Sequence, residues 1–189
     1  MEFGVGRICP WWLGCLLANP LRRWGQDPAV ILHGHVARGM LALEPGPGLG
    51  YFTLELARLV GPDGRVVAVD VQPRMLAGLR RRAERAGLAG RIEARLARAD
   101  SLGVEDLAGR ADFVLAFAVV HELPDAGRFF AEARRTLRPG GRLLLAEPSL
   151  HVRAHAFAAT LKAAERAGLV AIGAPRVRWS RTALLQAPS

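Results

Sequence analysis

Glu44 stands two residues ahead of three alternating glycines, Gly46, Gly48 and Gly50, and Asp70 follows about 20 residues past them. Glycine at every second position removes every second Cβ, so the backbone can turn sharply and lie directly against a ligand. A carboxylate at that distance, at the tip of the next strand, is placed to accept hydrogen bonds from ribose hydroxyls. The order Gly-x-Gly-x-Gly departs from the dinucleotide fingerprint Gly-x-Gly-x-x-Gly, because Tyr51 falls where the third glycine belongs. An acidic residue beside the loop suits a ligand with a cationic amino-acid end better than one with a pyrophosphate. Together these residues describe a nucleoside site with a cation-binding corner.

Regular elements must hold these groups. Met40 to Glu44 is a short apolar run, as a buried parallel strand requires, and Arg65 to Val69 is a second, stopping at Asp70. Further runs, Arg91 to Leu96, Ala111 to Phe117 and Arg142 to Ala146, give strand ends at Leu96, Phe117 and Glu147. Helical spacing lies between them, near 52–60, 73–86, 125–137 and 151–167, and Pro73 suits a first helical turn. Alternation of this kind predicts an α/β, Rossmann-like doubly wound sheet with right-handed crossovers and the ligand beyond the carboxyl ends of the strands. Leu169 to Val177 and Thr182 to Gln186 read as a closing pair of strands. The boundary falls near residue 38, with an N-terminal helical leader over 1–38 and one catalytic or binding domain over 39–189.

Glu44-x-Gly46-x-Gly48-x-Gly50 with Asp70, then Asp100-Ser101, then Val119-Val120-His121-Glu122-Leu123-Pro124-Asp125, then Leu137-Arg-Pro-Gly-Gly-Arg-Leu-Leu-Leu145, resembles the class I S-adenosylmethionine (SAM)-dependent methyltransferases. The resemblance covers roughly residues 38–187 and is closest to the small enzymes of the ubiquinone/menaquinone-methyltransferase type. It implies SAM as cofactor, the strand order 3-2-1-4-5-7-6 and an antiparallel last strand. It also implies cofactor contacts from Glu44, Gly46, Gly48, Gly50, Asp70, Val71, Gln72 and Met75, from Asp100 and Ser101 after the third strand, and from Phe117 at the tip of the fourth. Met75 has two readings, a thioether against the adenine face or plain core packing. Pro45 and Pro47 stiffen the loop relative to the family's usual residues.

Transfer from a sulfonium requires donor and acceptor to be held in line and water to be excluded. A base is needed only when the acceptor arrives protonated. His121, just beyond the fourth strand, is the candidate for taking a proton from a phenol, enol or thiol. The alternative is a helix-start histidine bonded to a backbone carbonyl. Glu122 either orients it or favours the N-terminus of the next helix. His151 also falls near a strand tip, and His33 and His35 precede the first strand, reaching over the cofactor or facing solvent.

Composition narrows the partners. The chain has 189 residues, 51% of them hydrophobic, enough for one full core. The longest apolar stretch, Ile8 to Ala18, is broken by Pro10 and Gly14 and is too short to cross a bilayer. Cys9 and Cys15 are too few to staple a domain, which points to reduced thiols and a cytoplasmic protein; no metal site is expected. The net charge of +9 invites nucleic acid, yet Lys162 is the only lysine, a pattern of coding bias toward arginine across the whole chain. Arg80-Arg81-Arg82 and Arg134-Arg135 are expected on solvated helix faces, and nucleic acid is not an expected partner. Trp11, Trp12 and Trp24 make the leader a lid over the acceptor, a homodimer contact or a patch on a membrane surface. The reading that results is methyl transfer to a small, apolar or aromatic acceptor. The alternatives are a non-catalytic SAM-binding regulatory protein and an RNA methyltransferase.

Overall fold

Seven strands and the helices between them follow the predicted alternation in the computed structural model, which describes residues 24–98 and 100–189. The chain enters through a short helix, α1 (Pro28–Leu32), whose start is fixed by Asp27: its side chain accepts from Ala29 N at 3.0 Å, and Pro28 occupies the first turn. Then come β1 (Leu41–Pro45), α2 (Thr53–Val60), β2 (Arg65–Asp70), α3 (Pro73–Arg85) and β3 (Ile92–Leu96). The second half holds β4 (Ala111–Phe117), α4 (Ala126–Thr136), β5 (Leu137–Pro148), α5 (Ala154–Arg166), β6 (Val170–Gly173) and β7 (Ser180–Gln186).

The sheet order is β3-β2-β1-β4-β5-β7-β6. The first five strands pair in parallel, while β7 runs antiparallel to both β5 and β6. Side chains alternate between two cores. Leu43, Val67, Val114, Leu143 and Leu145 face α4 and α5, whereas Ala42, Val66, Phe113, Leu115 and Leu144 face α1 and α2. The chain reverses its winding between β1 and β4, and a doubly wound sheet opens a crevice at that point, beyond the strands' carboxyl ends.

Three expectations are revised. Arg138-Pro139-Gly140-Gly141, read as a sharp turn, is the first part of a twelve-residue β5. Gly140 N donates to Ala187 O at 2.9 Å and Ala187 N to Gly141 O at 2.9 Å, so the end of the chain draws this segment into the sheet. The strand expected over Leu169 to Val177 is only Val170–Gly173, with all four residues exposed, and a short edge strand of this kind offers little to a stray pairing partner. His35 does not reach the cofactor end: its ring stacks on Phe113, near the amino end of β4, at 6.2 Å, and His33 is exposed. Of the leader expected over 1–38, α1 packs onto the domain through Pro28, Ile31 and Leu32, while Trp24 and Val30 are exposed. The lid reading rests on Trp11, Trp12 and Trp24; the first two lie outside the described residues, and Trp24 is 87% exposed.

Candidate functional site

Glu44 and Asp70 end adjacent strands, and the fold treats them differently. Asp70, 8% exposed, accepts from Gln72 N at 2.8 Å, and the amides of Gly48 and Val71 also point at its carboxylate. Burial raises its pKa above the usual carboxylate range and these three amides hold the rise in check. Glu44, 3% exposed, has no such support. Its Oε2 is buried without a hydrogen-bond partner among the described residues, as is Thr53 Oγ1 at the start of α2. Burial, reinforced by the charge of Asp70, pushes Glu44 up to about 8.

Between them the loop is shaped by glycine. Gly46, Gly48 and Gly50 have φ of +68°, +55° and +84°, the left-handed region that L side chains enter at a cost. A Cβ on Gly46 would lie 2.7 Å from Val119 Cγ2, and one on Gly50 would lie 2.4 Å from Leu79 Cδ1. Beside Gly48 there is nothing within 4 Å. Two of the three glycines are therefore filled by the protein and the middle one faces open space. An unpartnered buried carboxylate oxygen next to an open stretch of backbone, with a second carboxylate 26 residues further on in the chain, fits a nucleoside carrying a cationic amino-acid end.

The other expected contacts spread around this corner. Val71 and Gln72 contribute backbone amides to Asp70, and Met75 is buried at 3% exposure on α3. Asp100 lies in the loop after β3 on the exposed side, within ion-pair range of Arg98 (3.4 Å) and Arg128 (3.9 Å). Ser101 turns its hydroxyl toward α4: Glu132 Oε2 lies 3.4 Å away and accepts from Leu102 N at 2.7 Å. Phe117 closes β4 with its ring 4.3 Å from that of Phe52, and Ala118 after it takes a φ of +54°. Backbone strain of this size at a strand tip is a mark of functional sites.

His121 sits in a 3-10 turn, Val120–Glu122, one residue beyond that strained alanine. Its Nδ1 bonds to Glu147 Oε2 at the end of β5, not to a backbone carbonyl. Glu147 is 1% exposed and also accepts from Val120 N at 2.8 Å, so one buried carboxylate fixes both the turn and the ring it carries. The ring of His151 lies 6.2 Å from that of His121. Burial disfavours the charged imidazole, yet the hydrogen bond and charge of Glu147, helped by Glu122, outweigh it and raise the pKa. Glu122 acts on His121 through its charge, while two other acids make the direct hydrogen bonds. Glu147 orients His121, and Asp125 caps α4 by accepting from Arg128 N at 3.0 Å. Glu147 and Glu132 were not among the expected site residues. For Glu147 the signal was present: like Glu44 and Asp70, it is an acid closing an otherwise apolar strand run.

Among the described residues no group of three or more His, Cys, Asp or Glu could hold a metal, and no helix is long and apolar enough to cross a membrane. Residues 43–145 match the profile of a methyltransferase domain. An arsenite methyltransferase of Halobacterium salinarum is 34% identical over 112 residues, 59% of this chain and 28% of that protein. A ubiquinone/menaquinone biosynthesis C-methyltransferase of Pasteurella multocida is 32% identical over 112 residues, 59% of this chain and 41% of its own length. The chain thus spans less than half the length of these curated relatives. A SAM-dependent methyltransferase from Aquifex aeolicus shares the fold at a TM-score of 0.84 and 22% identity, covering 95% of this chain and all of that one.

Proposed function

The chain belongs to the methyltransferase domain family, the class I SAM-dependent methyltransferases, and from that premise we propose that it methylates a small, apolar or aromatic acceptor carrying an acidic proton. The observation that carries the cofactor half is the unpartnered, buried Glu44 oxygen beside the open face of Gly48. SAM supplies a methyl group already activated on a sulfonium. Glu44 holds the cationic amino-acid end and Asp70 the ribose hydroxyls, while Gly48 lets the backbone lie against the ligand and Asp100 meets the adenine amino group. The acceptor half rests on His121. With Nδ1 donating to Glu147, Nε2 is the nitrogen left to take a proton from a phenol, enol or thiol as the methyl group arrives. Glu147 acts through His121, holding its tautomer and ring orientation.

Gln26 ties the segment ahead of α1 to the end of the sheet where β5 finishes and Ser180 pairs with Pro148. Gln26 Nε2 donates to Arg178 O at 3.1 Å and Ser180 Oγ at 3.2 Å, and Tyr51 Oη donates to Gln26 O at 2.9 Å. A cytoplasmic site of action follows from the same reading, since SAM is a cytosolic cofactor. Isothermal titration with S-adenosylhomocysteine (SAH), the demethylated product, and with NAD tests the proposal. SAH is expected to bind, and tighter binding of NAD overturns it.

A further inference from the structure

Arg82 does not behave as an arginine on a solvated helix face. It is half-buried on the inner side of α3, and its Nη1 donates to the backbone carbonyl of Leu49 at 2.6 Å. Leu49 lies between Gly48 and Gly50. Helix and loop are shaped to each other along this contact. A Cβ on Gly78 of α3 would lie 2.5 Å from Leu49 Cδ2, and Leu79 Cδ1 occupies the space that a Cβ on Gly50 would need. No carboxylate among the described residues pairs with Arg82, and burial, then the charge of Arg85, lower its pKa. A guanidinium kept partly out of water beside another cation, with a carbonyl in place of a counter-ion, is costly unless that carbonyl is what it is there to hold.

We infer that Arg82 is a positioning residue for the cofactor loop, fixing the Leu49 carbonyl so that Gly48 keeps its amide on Asp70 and its open face toward the ligand. The inference rests on the reading of that loop as the SAM site. A charge-assisted bond to a carbonyl is stronger than a neutral one and holds the peptide plane on both sides of Leu49. When it is lost, the loop samples arrangements in which the Gly48 amide leaves Asp70. Affinity then falls by the fraction of time the competent arrangement is absent.

The test is SAH binding by calorimetry, with unliganded Tm, on the parent chain and on Arg82→Ala, Arg82→Lys and, as a surface control, Arg81→Ala. Arg82→Ala is expected to weaken SAH about tenfold while leaving the unliganded Tm unchanged or slightly raised. Arg82→Lys, which retains one donor, is expected to recover part of the loss, and Arg81→Ala to match the parent. Equal affinity in Arg82→Ala overturns the inference. A loss of affinity that tracks a fall in unliganded Tm and that lysine does not rescue overturns it too. A parent chain that binds no SAH fails the cofactor reading itself, a result distinct from either.

Discussion

At the scale of single residues the site is a set of carboxylates given unequal surroundings. Three amides support the charge of Asp70 and none supports that of Glu44, so the buried pair carries less than its full negative charge until a cation arrives. Because Glu44 holds its proton up to about 8 in the folded chain, its contribution to stability is fully present below its usual value of 4.5 and is lost as pH rises through 8. A ligand bearing an ammonium group should expel that proton. Calorimetry of SAH binding at pH 7 in buffers of different ionisation heat is expected to show proton release, and Glu44→Gln to bind more weakly without it. His121 has the opposite task, since only its neutral ring can accept a proton. With its pKa raised by Glu147, methyl transfer from radiolabelled SAM to a panel of phenols and thiols should increase with pH through an inflection above 6.5. His121→Ala is expected to lower the rate by roughly 10²–10⁴. Glu147→Gln should move the inflection to lower pH and reduce kcat more than it changes SAM KM. Glu44 and Asp70 were legible in the sequence because their meaning is local, an acid ending a strand beside glycines. The Glu147–His121 pair was not, because its members are 26 residues apart and meet only when β4 and β5 align.

At the scale of elements, the site is held by contacts between a loop and the helix that follows the next strand. Leu79 of α3 fills the space beside Gly50, whose φ of +84° excludes side chains twice over, by strain and by collision. Gly50→Ala is expected to cost about 1–2 kcal/mol in backbone conformation alone, with a further loss from displacing Leu79, seen as a lower Tm and weaker SAH binding. The loop after β3 is tied in the same manner to α4, where Glu132 accepts from Leu102 N. Strand and helix positions were readable to within a residue or two in β1, β2, β4 and α2, since apolar runs and Pro or Gly punctuation mark them. Arg82 was not readable. An arginine that reaches into a loop and one that faces water look alike on a helical repeat, and only the approach of Leu49 distinguishes them.

At the scale of the whole molecule, the order of strands across the sheet was legible only through resemblance, because no periodicity in the sequence tells which edge a strand joins. That order has a consequence in time. The seventh strand in sequence, β7, does not lie at an edge but is inserted between β5 and β6, pairing with β5 from Arg142↔Gln186 to Pro148↔Ser180. Until Gln186 has left the ribosome, β5 keeps one open edge and β6 has nothing to pair with. Glu147, which fixes His121, lies on that unfinished strand opposite Arg181. The glycine loop and Asp70 belong to strands that pair among themselves without β7, whereas the strand bearing Glu147 needs β7 for its second edge. Removing residues 180–189 is therefore expected to free the β5 edge that carries Glu147 while leaving the pairing of β1, β2 and β3 in place, measured as hydrogen-exchange protection along each strand.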